Sequence, residues 1–312
     1  MTRKQPFDIL VAGEINPDLI LSGDVIPEFG QMEQLVDSAT LTIGSSSAIF
    51  ACGATRLGLK VAFVGVCGAD IFGRFMLDEL SQCGVDVSGV IIDPAQSTGL
   101  SVILNHPGAD SAGDRAILTY LGTINRLRAG QVTHGLLQKA RHLHVASYFL
   151  QTALRPGLPD LFQRAHALGL TTSLDTNWDP SGAWSGFDEL LGQVDVFLPN
   201  QNEALAISGA SSIETALQIL SQKYRVVAVK CGREGALARQ ADKSARTAAL
   251  PVQVVDTVGA GDSFDAGFLY GWLHGWSLEK ALALAGACGS LSTRAAGGAS
   301  AQPSLEEALK FV

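Results

Sequence analysis

The sequence predicts an α/β fold in three layers, in which a mostly parallel central sheet lies between two layers of helices. Short apolar runs recur along the chain, each with the length and composition of a strand that is buried on both faces. They are Phe7 to Gly13, Lys60 to Val66, Leu143 to Ala146, Leu170 to Asp175, Val194 to Leu198 and Tyr224 to Lys230. Most of these runs are separated by stretches that suit helices, and this alternation is typical of parallel strands joined by crossover helices.

The helix-compatible stretches carry apolar residues at helical spacing. They are Ile49 to Leu57, Phe72 to Cys83, Gly157 to Leu168, Asn202 to Ile207 and Ser212 to Gln222. A further helix is expected over Ala266 to His274, after a glycine-rich segment. Because no Pro- or Ser-rich linker marks a boundary, we expect a single domain over residues 1–312.

Two regions break the alternation and predict a small accessory sheet. Apolar and polar residues alternate over Ala39 to Ile43, and Thr98 to Asn105 and Arg115 to Leu121 are rich in strand-forming residues. The turn-prone segment Pro107 to Asp110 joins the last two. We expect residues 16–43 and 97–122 to form a lid over the edge of the main domain, and its exposed strand edges favour a homodimer.

Composition excludes several classes of protein. A net charge of −8 argues against binding to nucleic acid, which depends on basic side chains. The five cysteines lack the spacing of a disulfide framework or a zinc site, and a reducing cytoplasm fits them best. No apolar run has the length of a signal-peptide core or a membrane span, so no membrane partner is expected.

A glycine-rich segment, Asp256 to Phe264, carries the strongest chemical signal. It follows an expected strand at Val252 to Val255 and precedes the expected helix at Ala266. The backbone N–H groups of a small-residue turn at a helix start can bind a phosphate, and Asp262 beside them can accept a proton from a hydroxyl that attacks it. Taken alone, such a turn is more often a capped helix start. The chain has neither of the two common nucleotide-binding glycine motifs.

This segment resembles the second signature of the PfkB or ribokinase-like carbohydrate kinase family, D-T-x-G-A-G-D-x-F. Gly65 to Gly73 resembles the family's G-x-x-G-x-D-x-x-G, Gly13 to Asp18 its opening G-x-x-N-x-D, and Asn200 to Glu203 its N-x-x-E. These motifs occur in family order along nearly the whole chain. The resemblance implies a ribokinase-like sandwich and ATP-dependent phosphorylation of a hydroxyl on a small sugar.

The resemblance also assigns roles to residues. It implies that Asp262 is the general base and that the backbone of Gly259, Ala260, Gly261 and Asp262 is the anion hole. The remaining implied ligands are ATP at Lys230, Gly232, Gly235, Gly259 and Gly261, Mg²⁺ through water at Asn200 and Glu203, and a monovalent cation such as K⁺ at Asp256 and Val258. From the residues alone, Lys230 is equally a surface lysine, and Asn200 with Glu203 is more often a helix cap.

The expected substrate contacts come from several segments. They are Asn16, Asp18, Gly44, Ser45, Ile49, Tyr120 and Asn177. Two positions depart from the family pattern: Ile49 replaces the asparagine of G-G-x-x-x-N-x-A, and Asp179 replaces the arginine of D-x-N-x-R-P. An apolar side chain cannot pair with a sugar hydroxyl, and an aspartate disfavours an acidic sugar, so a neutral substrate is expected. A nucleoside kinase and a catalytically silent sugar-binding protein are the alternatives.

Overall fold

The central sheet and a second, smaller sheet organise the computed structural model, which describes residues 5–106, 114–190 and 192–312. The strands are β1 (Phe7–Ala12), β2 (Pro17–Ser22), β3 (Ser38–Ile43), β4 (Val61–Val64), β5 (Val66–Gly68), β6 (Ile91–Asp93), β7 (Leu100–His106), β8 (Asp114–Tyr120), β9 (Ala140–Val145), β10 (Thr171–Leu174), β11 (Val196–Phe197), β12 (Val226–Lys230), β13 (Ala236–Gln240) and β14 (Lys243–Thr247). The helices are α1 (Ser46–Arg56), α2 (Ile71–Gln82), α3 (His134–Leu137), α4 (Leu158–Ala167), α5 (Gln201–Ser208), α6 (Ile213–Leu220), α7 (Ala260–Leu273), α8 (Leu278–Ser292) and α9 (Leu305–Ala308). The expected turn at Pro107 to Asp110 lies outside the described residues.

The central sheet has the strand order β14-β13-β12-β11-β10-β9-β1-β4. All neighbours from β4 to β12 are parallel, and β13 and β14 add an antiparallel edge. The predicted parallel sheet is therefore confirmed. The hairpin of β13 and β14 was not predicted, because its strands mix apolar residues with Arg239, Lys243 and Arg246 and are only partly buried.

Two hydrophobic cores cover the two faces of this sheet and confirm the three-layer arrangement. One core joins the strands to α1, α7 and α8, and includes Phe50, Phe268 and Leu284. The other joins them to α4 and α6, and includes Phe162 and Leu220. Both layers form because each helix presents an apolar stripe to a sheet that is apolar on both sides.

The second sheet has the order β3-β2-β7-β8, separate from the central one. Its inner strands, β2 and β7, are parallel and come from different parts of the chain, with Asp18 opposite Ser101. Asp70 connects this sheet to α2, because its carboxylate caps α2 at the Gly73 N–H (2.8 Å) and accepts hydrogen bonds from the backbone and hydroxyl of Thr98 (both 2.7 Å). A small sheet is thus confirmed, while its action as a lid stays a prediction.

One expected strand is wrong. Residues Val252 to Val255 pair with no strand among the described residues, and Val254 and Val255 are 43% and 57% exposed. The N–H groups of Val255 and Asp256 instead donate to the carbonyl of Thr293 at 2.8 and 3.1 Å. The helix after this segment begins at Ala260, six residues earlier than expected. Within the described ranges, no helix is both long and apolar enough to cross a membrane.

Candidate active site

Polar and charged side chains meet at the carboxyl ends of the parallel strands, where such a sheet opens its ligand crevice. Glu14 follows β1, Asp175 follows β10, and Lys230 ends β12. The first turns of α1 and α7 face the same region, since Ile49 lies against Gly259 and Lys230 lies beside Gly261.

The glycine turn before α7 requires residues without side chains. Gly259 is the N-cap of α7 with a φ of 72°, in the left-handed region that favours glycine. A Cβ at Gly259 would lie 2.6 Å from the Cα of Gly298 and 2.8 Å from Ile49 Cγ2. The N–H groups of Gly261 and Asp262 are in the first turn of the helix and have no acceptor one turn back, so they can bind an anion.

Asp262 lies in this first turn and is buried, with 8% of its surface exposed. Burial raises the pKa of its carboxyl well above the usual value, and the nearby carboxylate of Asp175 raises it further. Lys230 and a hydrogen bond from Ser46 act in the opposite direction. The side chain is therefore suited to accept a proton, with a cation close enough to support its charged form.

Lys230 is enclosed by carboxylates. Its Nζ lies 2.9 Å from Asp175 Oδ2 and 3.1 Å from Asp265 Oδ2, and its side chain is 12% exposed. Burial alone would lower the pKa of Lys230, but Asp175 and Asp265 more than reverse this, so the ammonium stays charged. Oxygen atoms of Asp175, Asp262 and Asp265 lie within 4.8 Å of one another, so three carboxyl groups surround one buried cation.

The three acidic groups differ in their pKa values. Burial alone would raise the pKa of Asp175, yet the charge of Lys230 and a hydrogen bond with Asp265 bring it below its usual value. Burial raises the pKa of Asp265 well above its usual value. Asp175 is thus the ionised partner of Lys230, while Asp262 and Asp265 each hold a proton more readily than an ordinary aspartate.

Asp256 ties the glycine turn to the C-terminal segment. Its Oδ1 accepts a hydrogen bond from the N–H of Val258 at 3.0 Å, and its Oδ2 accepts one from the N–H of Gly297 at 2.9 Å. Both oxygens are therefore engaged by backbone donors. The expected role of Asp256 and Val258 in binding a monovalent cation stays a prediction.

A second buried carboxylate, Glu14, lies at the start of α1. Its Oε1 accepts hydrogen bonds from the N–H of Ser47 (3.2 Å) and the hydroxyls of Ser45 (3.1 Å) and Ser147 (2.9 Å). Its Oε2 accepts the hydroxyl of Ser47 at 2.6 Å. The positive end of the α1 dipole also favours a negative group at this position.

Asn177 extends this network to the start of α1. Its Nδ2 donates to the hydroxyl of Ser147 at 3.1 Å and to the hydroxyl of Ser46. Ser147 is a neighbour that sequence reasoning did not find, because it follows β9 in a left-handed turn (φ 51°) that no motif announces.

Asp18 and Gly44 lie side by side. A Cβ at Gly44 would lie 2.2 Å from Asp18 Oδ1 and 2.8 Å from the carbonyl oxygen of Asn16, so glycine allows this close approach. Burial raises the pKa of Asp18 to about 7, with Arg115 opposing the shift and Asp256 and Glu14 adding to it. Asn16 is buried as well, and its Nδ2 donates to the carbonyl of Pro17.

Asn200 and Glu203 form the capping box of α5. The Asn200 side chain accepts from the N–H of Glu203 at 3.0 Å, while Glu203 Oε2 accepts from the N–H of Asn200 at 2.9 Å and from Thr176 Oγ1 at 3.2 Å. Glu203 Oε1 accepts from Asn200 Nδ2 at 2.5 Å. Since an ionised carboxyl has about four acceptor sites and three are used, Glu203 fits the holding of magnesium through a bound water rather than directly.

Comparisons with known proteins decide the family. Residues 7–305 match the pfkB family carbohydrate kinase. The chain belongs to the pfkB family of carbohydrate kinases. This family assignment confirms the resemblance found in the motifs and establishes the chain as a carbohydrate kinase of the PfkB superfamily.

Two sequence relatives and one solved structure illustrate which known proteins this pfkB kinase is similar to. It is 30% identical over 297 residues to an ATP-dependent ribose-1-phosphate kinase of Halopiger xanaduensis, covering 94% of each chain. It is 30% identical over 301 residues to a 2-dehydro-3-deoxygluconokinase of Bacillus subtilis, covering 91% of this chain and 90% of the relative. The crystal structure of adenosine kinase from Sinorhizobium meliloti superposes with a TM-score of 0.84 at 26% identity, covering 98% of this chain and 99% of the other.

In this pfkB kinase, the two residues that differ from the family pattern are not placed as the sequence predicted. Ile49 was expected to face the substrate, but it is 3% exposed and packs beneath the glycine turn. Its Cδ1 is so close to Gly298 that a Cβ built on this glycine would lie 2.3 Å from it. Asp179 was expected to meet an acidic substrate, but its carboxylate closes its own loop through Ser181 N (2.9 Å) and Trp184 N (2.7 Å). Both side chains serve the fold rather than an open surface.

The local backbone explains why glycine occupies two further expected positions. Gly235 has a φ of 89°, and a Cβ there would lie 2.0 Å from the carbonyl oxygen of Thr247, so the turn after β12 requires glycine. Gly232 likewise has a positive φ of 55°. Tyr120 is 59% exposed at the end of β8. The nucleotide contacts of the two glycines and the substrate contact of Tyr120 stay predictions.

Lys230, Asp265 and Glu14 mark where sequence reasoning was incomplete. The alternative that Lys230 is a surface lysine is wrong, since it is enclosed by Asp175 and Asp265. Asp265 follows Asp262 at a helical spacing of three residues, which was a usable signal that both face the same side of α7. Glu14 gave only the weaker signal of a charged residue directly after a buried strand.

Proposed function

We propose that the enzyme transfers the γ-phosphoryl group of ATP to a hydroxyl of a neutral sugar, with Asp262 as the general base. The observation that carries this proposal is the placement of Asp262. It is buried in the first turn of α7, directly after the glycine turn and close to the Lys230 ammonium. A proton acceptor beside free backbone donors is the arrangement that phosphoryl transfer to a hydroxyl needs.

In this mechanism Asp262 takes the proton of the attacking hydroxyl. Its raised pKa favours proton uptake, while Lys230 and Ser46 keep the ionised form accessible before the reaction. The N–H groups of Gly261 and Asp262 then donate to the oxygens of the transferred group. Because these donors are held by the helix, they need no rearrangement as charge develops.

Magnesium and nucleotide have proposed positions in the same site. Asn200 and Glu203 would hold a magnesium-bound water, and magnesium would neutralise phosphate charge when bound. Lys230, Gly232 and Gly235 belong to the strand and turn proposed to line the nucleotide, and Asp256 with the carbonyl of Val258 would hold a monovalent cation. The position of Lys230 beside Gly261 supports a further role in stabilising phosphate charge.

The substrate is proposed to be neutral because two buried acidic side chains, Glu14 and Asp18, lie at or beside the expected substrate contacts. Glu14 and Asp18 are 2% and 7% exposed, and their charges influence each other. An anionic substrate would meet this negative charge in a poorly solvated place, where repulsion is strong. The argument rests on these two residues and no longer on Asp179.

A nucleoside is the second candidate substrate. The similarity to an adenosine kinase supports it, together with Trp178, which directly follows Asn177 and exposes 62% of its surface. An exposed indole next to a sugar-binding side chain can stack on a base. A catalytically silent binding protein finds no support, since the relatives compared above are named kinases.

ADP release with a substrate panel tests the proposal. The panel contains ribose, fructose, adenosine, ribose 1-phosphate and 2-dehydro-3-deoxygluconate, each with ATP and magnesium. We expect the highest kcat/KM with a neutral member. A preference for either anionic sugar would contradict the substrate class, and ADP release with no member of a wide sugar and nucleoside panel would contradict the function.

A further inference from the structure

A hydrogen-bonded path starts at the buried carboxyl group of Glu14. It runs through Ser147 and Asn177 to Ser46 at the start of α1. Each link joins residues that are at least 30 positions apart in sequence. The path therefore reflects the assembled site rather than local turn geometry.

The direction of each hydrogen bond follows from the chemistry of Glu14 Oε1. When ionised, the Glu14 carboxyl group can only accept hydrogen bonds, and its Oε1 accepts one from the backbone N–H of Ser47 at 3.2 Å. Ser147 lies 2.9 Å from the same oxygen and therefore donates to it. Its single hydroxyl proton is then used, and Ser147 can only accept from Asn177.

This direction determines which way the Asn177 amide faces. Its NH₂ group must face Ser147, and its second N–H is directed to Ser46. Ser46 thus accepts from Asn177 and keeps its own hydroxyl proton free to donate. The carbonyl oxygen Oδ1 receives no hydrogen bond from any residue in the described part of the chain, and it remains an acceptor.

We propose that Glu14 is a positioning residue that fixes the Asn177 amide, so that Asn177 presents an acceptor to a hydroxyl of the substrate. The inference rests on the proposed function, because it names a recognition element of that same site. A substrate hydroxyl is recognised here as a donor, which a keto, deoxy or methoxy group at the same carbon cannot replace.

The backbone conformation around Glu14 and Asn177 supports this positioning role. Ser45, Ser147 and Asn177 all have positive φ angles, of 67°, 51° and 53°. Asparagine tolerates this region, but a serine is strained in it. Three such residues meet around one carboxylate and its amide partner, and Ser47 approaches so closely that a Cβ at Gly13 would lie 2.0 Å from its hydroxyl.

The test compares Glu14→Met, Glu14→Gln and Ser147→Ala. Methionine removes the acceptor, which frees the Ser147 proton for Asn177 Oδ1 and lets the amide turn over. Glutamine retains an oxygen at the position of Oε1 and is the matched control. We expect the KM for the best substrate of the panel to rise about ten- to a hundred-fold in Glu14→Met and Ser147→Ala, with the KM for ATP unchanged and Glu14→Gln close to wild type.

Monodeoxy analogues of that substrate provide the decisive readout. The analogue that lacks the hydroxyl bound by Asn177 should be bound equally by wild type and Ser147→Ala in calorimetric titrations without ATP, whereas a merely structural defect would weaken all analogues alike. Because Ser147→Ala is a small change, this variant provides the test if Glu14→Met does not fold.

Two results would overturn the inference. One is an unchanged substrate KM and analogue ranking in Ser147→Ala, and the other is a loss in Glu14→Gln as large as that in Glu14→Met. In both cases wild-type turnover would leave the proposed function standing. Absence of any turnover by the wild type would overturn the proposed function, and this inference with it.

Discussion

The groups around Asp262 shift the pKa of its carboxyl group in opposite directions. Asp175 and burial favour its protonated form, whereas Lys230 and Ser46 favour its ionised form. A base in such a position can change protonation during the reaction without a large energetic barrier. Its activity therefore depends on the whole group around Lys230 as well as on the carboxylate itself.

Replacing the base tests this directly. Asp262→Asn keeps the shape of the side chain and its oxygen can still accept from Ser46, but it cannot take a proton. We expect kcat to fall about 10²- to 10⁴-fold while ATP binding, measured by calorimetry, is retained. The melting temperature should not fall, because a buried carboxyl group has been removed. A kcat near that of the wild type would show that another group is the base.

Asp18 predicts a pH dependence of stability. Its pKa is about 7 in the folded protein against 3.8 as an unperturbed group, so the folded state binds the proton more tightly than the unfolded state. The stability associated with Asp18 is present below pH 3.8 and is lost as the pH rises through 7. Asp18→Asn removes this loss, and its melting temperature should gain on the wild type between about pH 4 and pH 7.

The difference between the two proteins isolates Asp18 from other titrating groups. Asp24→Asn, at an exposed position, is the control for the loss of one acidic side chain. A constant difference in melting temperature between Asp18→Asn and wild type across this pH range would contradict the raised pKa.

At the scale of elements, the glycine turn depends on α1 beneath it. Ile49 of α1 fills the space that Gly259 and Gly298 leave open. Gly298 does not have a positive φ, so a side chain there would be excluded by contact alone. The turn that carries the proposed anion site is thus held from below by one apolar residue.

Gly298→Ala should therefore displace this turn, since its Cβ would lie 2.3 Å from Ile49 Cδ1. We expect kcat to fall about tenfold or more, because a small displacement of catalytic groups is costly. Ile49→Ala alone leaves a cavity and should cost about 2–5 kcal/mol of stability. In the double variant the two effects should partly cancel, measured as non-additive changes in activity and unfolding free energy. Strict additivity would contradict the contact.

Elements differed in how well the sequence predicted them. The strands of the parallel sheet were predictable because burial on both faces leaves nearly continuous apolar runs, as in β12. The run Val252 to Val255 is also rich in valine but pairs with no strand in the described part of the chain, and side-chain type alone cannot reveal that. The role of Ile49 was missed for a similar reason: the motif located the residue, but not the glycine backbone that it supports.

At the scale of the whole molecule, the small sheet exposes apolar side chains. Ile117, Leu118 and Tyr120 of the edge strand β8 are 53%, 63% and 59% exposed, and Leu41 of the other edge strand is 38% exposed. A sheet with such edges and faces favours pairing with a second copy. We predict a homodimer formed through the small sheet.

Light scattering at micromolar concentration tests this prediction. Wild type should have twice the mass of the chain, and Leu118→Glu should be a monomer, because a charge on the buried face of the interface is unfavourable. Ile92→Lys, at an exposed apolar residue outside this sheet, is the matched control and should stay a dimer. A monomeric wild type would exclude the interface.

The parallel pairing of β2 with β7 bears on the order in which the protein folds. Asp18 pairs with Ser101, so about 80 residues, including strand β4 of the central sheet, lie between the partners. Closing such a long loop carries a high entropic cost unless the intervening chain is already ordered. We therefore expect the small sheet to form late, after the first part of the central sheet. Its edge strands would then be the last strand edges that can pair with other chains and aggregate during folding.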